Sequence, residues 1–312
     1  MQFPFTAPVA GKFDVVGFGT NAVDHLVRVP VYPAFNSKVE LSEYAEAPGG
    51  EVASTMVGLT RLGFSTAYIG KFGSDHAGRI GLSSLIDEGV DIAAAETVAE
   101  ARTQIAFIII DGPSGERTVI WHRDKMLAYM ADNVPVEAAL SGRILHLTPH
   151  DTAACIRLAL AAKEKGIIVS IDIDNVFEGV DELLPLVDIC IASSDLSARL
   201  FGITQPRAGL EKIASEFGCP VVGITLGDHG SLFLCAGEFI ETPGFPVPGG
   251  CIDTTGAGDA FRAGFLAGFL AGEDIGESAR IANAVASLKC RSLGARTSLP
   301  DQKEVSELLK KA

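Results

Sequence analysis

The segment Asp253-Thr-Thr-Gly-Ala-Gly-Asp-Ala-Phe261 runs directly into an apolar stretch, residues 262–272, and predicts the start of a buried helix. Gly256 and Gly258 carry no side chain, so backbone N–H groups can close around an oxyanion at the positive end of the helix macrodipole. Asp259 lies within one turn of this anion cradle. A carboxylate there would repel a resting phosphate, so its useful role is to take a proton from an attacking hydroxyl. The pattern predicts phosphoryl transfer to an alcohol.

The same segment resembles the second signature of the ribokinase (PfkB) family of sugar and nucleoside kinases. The resemblance implies that Gly256, Ala257 and Gly258 form an anion hole for the transferred phosphate, and that Asp259 is the general base. It also implies ATP as the phosphate donor and Mg²⁺ bound with the nucleotide, and it leaves a monovalent cation possible. The alternative interpretation is a glycine-rich loop that only caps a helix.

Length and composition limit the class of protein. A chain of 312 residues with 47% hydrophobic and 21% charged residues can bury one large core, and we expect a single kinase domain over residues 1–312. The net charge of −14 argues against nucleic-acid or anionic-membrane partners. Six cysteines without a CxxC pair favour reduced thiols in a cytoplasmic protein. The N-terminus lacks a signal-peptide pattern, and no apolar run approaches the length of a membrane span.

Strand-like apolar runs alternate with helical patterns along most of the chain. This alternation predicts an α/β fold with a mostly parallel central sheet flanked by helices, which is the ribokinase-like architecture that the resemblance implies. The predicted strands are residues 14–17, 66–69, 144–147, 167–171, 189–192 and 221–225, and the predicted helices include 52–62, 152–165, 208–217 and 257–270.

Two β-rich segments interrupt this alternation. Residues 27–44 and 103–122 have no helix between their strands, and the second contains a turn signal at 111–115. We therefore expect a small separate sheet. The resemblance implies that this sheet is a lid over the sugar and a dimer contact. An exposed apolar face that includes residues 107–110 also favours a homodimer.

Two motifs are candidates for binding the acceptor sugar. Asp24 follows the first strand, where ligands bind in open α/β sheets, and the resemblance implies that it contacts sugar hydroxyls. Gly49 and Gly50 resemble the Gly-Gly pair of the family's first signature, but Ser54 stands where that signature has asparagine. A hydroxyl is shorter and offers one donor instead of two, so this sugar contact must differ or be lost. A turn or capping carboxylate and a plain Gly-Gly turn are the alternatives.

The nucleotide site is predicted from two later segments. Thr225, Gly227 and Gly230 follow a strand and resemble the family's nucleotide loop, although a β-turn is an alternative. Asn283, in a late helical segment, resembles the adenine-side wall, although helix packing could explain the small residues around it.

The metal site cannot be assigned by resemblance. Ser193 and Leu196 occupy the positions of the asparagine and glutamate that organise water around Mg²⁺ in the family. Asp172 and Asp174, at a strand end, are the nearest other carboxylates and could instead cap a helix.

The overall hypothesis is an ATP-dependent kinase that phosphorylates a hydroxyl of a fructose-like ketose or a related carbohydrate, with similarity to the ketose branch that includes sulfofructose kinase. Arg123 ends the second lid segment and could pair with an anionic group on the substrate. A solvated surface arginine is equally consistent with this position. A nucleoside kinase and a non-catalytic sugar- or nucleotide-binding regulator are the alternative functions.

Overall fold

The computed structural model describes residues 1–311 and contains a large sheet of eight strands. Six neighbouring strands run parallel, and the last two at one edge run antiparallel. In spatial order from that edge the strands are β14 (Glu238–Thr242), β13 (Ser231–Cys235), β12 (Val221–Thr225), β11 (Ile189–Ser193), β10 (Ile168–Ile173), β9 (Gly142–Leu147), β1 (Phe13–Phe18) and β4 (Thr66–Ile69). The six predicted strands overlap the six parallel ones, which confirms the predicted fold class.

Helices cover both faces of this sheet. Along β11, Ile189 and Ile191 pack into one core cluster while Cys190 and Ala192 pack into the other, because successive side chains of a strand point to opposite faces. In residues 1–311 the α-helices are α1 (Glu51–Arg61), α2 (His76–Asp87), α3 (Val136–Ala139), α4 (Thr152–Glu164), α5 (Val180–Leu183), α6 (Leu196–Phe201), α7 (Pro206–Phe217), α8 (Ala257–Leu270), α9 (Ile275–Lys289) and α10 (Gln302–Leu309). Helices α1, α8 and α9 contribute to the first cluster, whereas α4 and α7 contribute to the second.

Burial on both faces explains why the parallel strands read as continuous apolar runs. All six residues of β10 are buried, including Ser170 and Asp172. A parallel sheet that is covered on both sides selects for such runs, and a polar residue within one is therefore informative. Asp172 lies near the carboxyl end of the strand, where its carboxylate reaches the site described below.

A second sheet of four strands lies outside the large one, as predicted. Its spatial order is β3 (Glu43–Gly49), β2 (Ala22–Val29), β7 (Ile105–Asp111) and β8 (Arg117–His122). The strands β2 and β7 are parallel neighbours, and each forms an antiparallel pair with its outer partner. A further pair, β5 (Lys71–Gly73) and β6 (Glu96–Val98), is parallel.

The first predicted lid segment is misplaced, whereas the second is in the right place. Residues 103–122 contain β7, a turn and β8. Residues 27–44, in contrast, cover mainly the loop between β2 and β3, and both strands extend outside that range. Asp24 interrupts the apolar pattern of β2 because its side chain faces a cavity instead of a core, whereas His25 lies on the opposite face against Phe107. That the whole chain is one domain stays a prediction.

The small sheet has one buried and one open face. Ile108 and Ile110 are buried with Leu26, whereas Phe107 is 48% exposed and its cross-strand neighbour Ile120 is 57% exposed. The predicted exposed face at residues 107–110 is therefore right for Phe107 and wrong for Ile108 and Ile110, because side chains alternate along the strand. Within residues 1–311 every helix is too short or too polar to cross a membrane.

Candidate active site

A cavity of about 1110 Å³ lies between the carboxyl ends of the parallel strands and the small sheet. Its floor includes residues at or just after the ends of five parallel strands, namely Thr20, His150, Asp174, Ser193 and Thr225. Asp24, Ala106 and Val119 of the small sheet form the opposite side. Ligands bind at the carboxyl ends of strands in open α/β sheets, so both the position and the size of this cavity fit a substrate site.

The glycine-rich segment forms one wall of the cavity and the start of α8. Gly256 is the N-cap residue and has a φ of 77°, and a side chain at this position would collide with Ala295. The N–H of Ala257 closes a turn on Thr254, whereas those of Gly258 and Asp259 find no backbone acceptor within residues 1–311. The available donors at this helix start therefore form an anion cradle that faces the cavity.

A buried ion pair lies beneath this cradle. Lys289 Nζ donates to the carbonyl oxygen of Asp253 at 2.8 Å and lies 3.9 Å from Asp253 Oδ2, and both side chains are fully buried. The Asp253 carboxylate also accepts hydrogen bonds from the N–H groups of Thr255 and Gly294, each at 2.8 Å. Backbone groups and one ammonium thus hold the loop in a single position.

Asp259 lines the cavity one residue beyond the cradle. Burial raises the pKa of its carboxyl to about 6, although Arg262 and Arg117 oppose this rise. Arg262 is itself buried and forms an ion pair with Asp172. Burial also raises the pKa of Asp172 well above its usual range, against the opposing effect of Arg262. The arrangement can hold a carboxylate that accepts a proton near neutral pH.

Asp24 lies on β2 and faces the cavity from the small sheet. It is 4% exposed, and burial raises the pKa of its carboxyl to about 7, opposed by Arg296. A side chain at Gly49 would collide with the Asp24 carboxylate, which explains the glycine at that position. Gly50, with a φ of 92°, lines the cavity at the N-cap of α1. The structure therefore brings Asp24 and the Gly-Gly pair together.

Ser54 is fully buried in α1 and lies outside the cavity wall. Its hydroxyl accepts a hydrogen bond from Arg296 Nε at 3.2 Å, and the same guanidinium donates to the carbonyl oxygen of Gly49 and to Ser84. Arg296 thus supports the Gly-Gly backbone from behind. The expectation that the sugar contact at Ser54 differs or is lost stays a prediction, and in this structure the hydroxyl is engaged by Arg296.

Arg123 does not line the large cavity either. Its guanidinium forms two hydrogen bonds to the Asp151 carboxylate, at 2.7 and 2.8 Å, and a third to the carbonyl oxygen of Leu127. The side chain is 17% exposed. Asp151 thus occupies both arms of the guanidinium in this structure, and a contact between Arg123 and the substrate stays a prediction.

The predicted nucleotide residues lie together at the other end of the cavity. Thr225, Gly227, Gly230 and Asn283 all line it. Gly227 and Gly230 have positive φ angles of 62° and 98°. Asn283 Nδ2 lies within hydrogen-bond distance of Ser231 Oγ and of the carbonyl oxygens of residues 242 and 243, so it also braces the connection after β14. Asn283 therefore both packs against the connection after β14 and lines the cavity.

Ser193 and Leu196 occupy the positions where the family carries the residues that organise water around Mg²⁺, and their contacts also differ from that role. Ser193 donates to Asp195 Oδ1 at 2.7 Å, and Leu196 is fully buried. No group of three or more His, Cys, Asp or Glu side chains within residues 1–311 is arranged to hold a metal ion. Asp174 lines the cavity, and its carboxylate makes no side-chain hydrogen bond within residues 1–311. It is the carboxylate best placed to support a nucleotide-bound cation.

Several cavity residues were not predicted. Glu51 directly follows the Gly-Gly pair, and burial raises the pKa of its carboxyl well above its usual range, with further increases from Asp174 and Asp172. An aromatic group formed by Trp121, His150 and Phe177 lines the same end, with ring centroids 4.9 to 5.8 Å apart. The adjacency of Glu51 to the glycines was a usable signal, whereas the aromatic group comes from three distant segments.

Comparison with known proteins agrees with this geometry. The family model described as pfkB family carbohydrate kinase matches residues 15–302. Fructokinase-1 of Zea mays is 28% identical over 329 residues, with 97% of this chain and 99% of the relative covered. A nucleoside kinase of Methanothermobacter thermautotrophicus is 28% identical over 306 residues, with 93% and 94% covered.

A solved structure of Arabidopsis thaliana ribokinase complexed with ribose and ATP gives a TM-score of 0.81 at 26% identity, covering 96% of this chain and 99% of that chain. The fold is thus ribokinase-like. The three similar proteins are named for three different acceptors, so similarity alone does not select the acceptor.

Proposed function

Because the chain belongs to the pfkB family of carbohydrate kinases, and so is a phosphotransferase acting on a sugar or nucleoside, we propose that it transfers the γ-phosphate of ATP to a hydroxyl of a fructose-like ketose. The observation that carries this proposal is the position of Asp259 on the wall of the cavity, directly after Gly258, whose backbone N–H finds no acceptor among the described residues. A binding protein has no need of a proton acceptor at that place.

In this mechanism Asp259 accepts the proton of the attacking hydroxyl, and the backbone of Gly256, Ala257 and Gly258 stabilises the negative charge on the transferred phosphate. The raised pKa of Asp259 supports the first role, because a general base works best when its pKa lies near the working pH. The N-terminus of α8 supports the second. Lys289 keeps the cradle in place through Asp253.

The acceptor is held by Asp24 and by the backbone of Gly49 and Gly50. Asp24 lines the cavity and lies next to Gly49, so its oxygens can accept hydrogen bonds from sugar hydroxyls. Orientation by these groups places the reacting hydroxyl against Asp259. Ser54 acts indirectly, through Arg296 and the Gly49 carbonyl.

ATP occupies the end of the cavity lined by Thr225, Gly227, Gly230 and Asn283. The glycines leave the backbone open to the nucleotide, and Asn283 contributes a wall. Asp174 would hold Mg²⁺, which would neutralise negative charge on the phosphates of the nucleotide. A monovalent cation stays possible.

A nucleoside kinase is the alternative that a specific observation favours. Trp121, His150 and Phe177 form an aromatic wall near the acceptor end, and aromatic rings can stack on a nucleobase as well as on the apolar face of a sugar. The departures from the family pattern at Ser193 and Leu196 keep a non-catalytic regulator as a third candidate.

We expect the purified protein to form ADP from MgATP in the presence of at least one neutral ketose, faster than with any aldose or nucleoside. Phosphorus NMR of the reaction should show a new phosphomonoester in an amount equal to the ADP. Faster turnover with a nucleoside would select the alternative kinase. Tight ATP binding without ADP formation for any acceptor would select the regulator.

We also propose a homodimer formed through the open face of the small sheet. Phe107 and Ile120 are cross-strand neighbours and expose apolar surface. Light scattering at micromolar protein should give about twice the monomer mass of 32.6 kDa. The double change Phe107→Asp and Ile120→Asp should give a monomer, whereas Leu160→Asp, which alters an equally exposed side chain on α4, should not. A monomeric wild-type protein would contradict the proposal.

The compartment is a further part of the proposal. All six cysteines are free thiols in the structure, and five of them are buried. Buried free thiols are stable in a reducing environment, which supports a cytoplasmic location. The net charge of −14 supports small molecules as partners in place of nucleic acid.

A further inference from the structure

Glu51 places an additional carboxylate at the acceptor end of the cavity. Its Oε2 accepts a hydrogen bond from Thr20 Oγ1 at 3.1 Å and lies 3.6 Å from His150 Nδ1. Asp174 and Asp259 lie close enough to raise its pKa. Glu51 thus extends a row of acidic groups that begins at the proposed catalytic base.

We propose that Glu51 is a specificity-determining residue: it accepts hydrogen bonds from a hydroxyl or amino group of the acceptor and excludes acceptors that carry a carboxylate or sulfonate. The proposal rests on the phosphotransferase function proposed above. It predicts that the acceptor is a neutral sugar or an amino sugar and is not a sugar acid.

Two polar groups at this end of the cavity, Asp24 and His150, have hydrogen-bonding capacity that the described residues leave unused. Asp24 is more than nine-tenths buried, lines the cavity and has no hydrogen-bond partner within residues 1–311. His150 Nδ1 is buried and also has no hydrogen-bond partner there. Buried polar groups are usually hydrogen-bonded, so an occupied site should satisfy them. Hydroxyl and amino groups of an acceptor can donate to the carboxylates of Asp24 and Glu51, whereas a carboxylate or sulfonate substituent cannot.

The basic groups near this end are already engaged. Arg123 is paired with Asp151 outside the cavity, and Arg262 is paired with Asp172. Arg296 is bound behind Gly49.

The two other basic groups, His150 and Arg117, do not offer a positive charge at the acceptor end either. His150 is held neutral, because burial lowers its pKa to about 4, with a further decrease from Arg123. Arg117 donates to Thr254 Oγ1 and therefore lies on the phosphate side, at the cradle. Among the described residues, an anionic acceptor would meet the carboxyl groups of Glu51 and Asp174 with no unengaged arginine or lysine at this end of the cavity.

The test compares acceptors of three charges in the wild type and in Glu51→Gln. The probes are D-fructose and D-ribose as neutral sugars, D-glucosamine as an amino sugar and 2-keto-3-deoxygluconate as a sugar acid. Wild-type kcat/KM for the acid should be roughly 100-fold below that of the best other probe. Glu51→Gln should reduce this roughly 100-fold difference in kcat/KM between the best other probe and the acid to roughly tenfold, mainly by lowering KM for the acid.

Glu178→Gln is the matched control, because it removes an exposed carboxylate from the same loop region as Phe177 but outside the cavity. It should leave the ratio unchanged. An unchanged ratio in Glu51→Gln would overturn the proposal. A rise in the Mg²⁺ concentration needed for half-maximal turnover, equal for all acceptors, would also overturn it and make Glu51 a metal ligand.

Calorimetric titration of the same probes separates this proposal from the proposed function. If no probe is phosphorylated but the neutral or amino sugars bind better than the acid, and Glu51→Gln reduces that preference, the specificity role stands and the catalytic proposal fails. Tighter binding of the acid than of every other probe to the wild type, or no binding of any probe, would overturn the specificity role.

Discussion

Replacement of Asp259 by asparagine is expected to lower kcat by on the order of 10²- to 10⁴-fold while KM for ATP changes little. The amide keeps the shape of the side chain at the start of α8 and removes its ability to accept a proton. The N–H groups of the cradle are backbone groups and stay in place. Steady-state kinetics with the best acceptor, together with calorimetric binding of ATP, measures both quantities.

The pH dependence offers a separate check of the same base. The carboxyl of Asp259 has its pKa raised to about 6, so wild-type turnover should fall as the pH drops through about 6 and the base becomes protonated. The asparagine variant should lack this acidic limb. Asp132→Asn, a change of the same kind at an exposed position, should behave as wild type. Near-wild-type turnover of Asp259→Asn would remove Asp259 from the mechanism.

The second large effect concerns folding stability. Arg262→Met should lower the free energy of unfolding by about 3–5 kcal/mol, because it leaves the buried carboxylate of Asp172 without its partner. Urea denaturation followed by circular dichroism measures the change. The double variant Asp172→Asn and Arg262→Met should recover much of the loss, since it removes both charges.

The control for this experiment is an exposed ion pair. Arg199 and Asp195 lie four residues apart, and both side chains are about half exposed. Arg199→Met should therefore change stability by less than about 0.5 kcal/mol. A double variant as unstable as Arg262→Met alone would show that the arginine stabilises the protein by packing and not by pairing with Asp172.

The parts of the fold that depend on local chemistry were predictable from sequence. The helix α8 has the predicted bounds, 257–270, because a glycine at its N-cap and an apolar run define it locally. The parallel strands were predictable because burial on both faces leaves an apolar run. The strand β2 was misplaced because Asp24 faces the cavity and His25 lies on the open face of the small sheet, so its pattern does not follow a core.

Residues whose roles depend on distant partners were not predictable. Arg123 directly follows a strand as expected, but Asp151 pairs with it from 28 positions further along the chain. Ser54 is engaged by Arg296, which is 242 positions away. The aromatic wall near Glu51 is likewise assembled from three separate segments. Local motifs indicate which backbone forms a site, whereas the contacts of its side chains depend on packing between segments.

The two carboxylates that would position and activate an acceptor belong to different parts of the fold. Asp24 lies on β2 of the small sheet, whereas Asp259 and the nucleotide residues lie on the large sheet and its helices. The separation of the two groups therefore changes with any displacement of one sheet relative to the other. The proposed nucleotide residues Thr225, Gly227, Gly230 and Asn283 lie outside the small sheet, whereas Asp24, the proposed acceptor ligand, lies on it. Short connections join the small sheet to the large sheet at residues 19–21 and to α1 at Gly50. Substitutions there can thus alter the affinity for the acceptor while every residue proposed to contact the nucleotide stays the same.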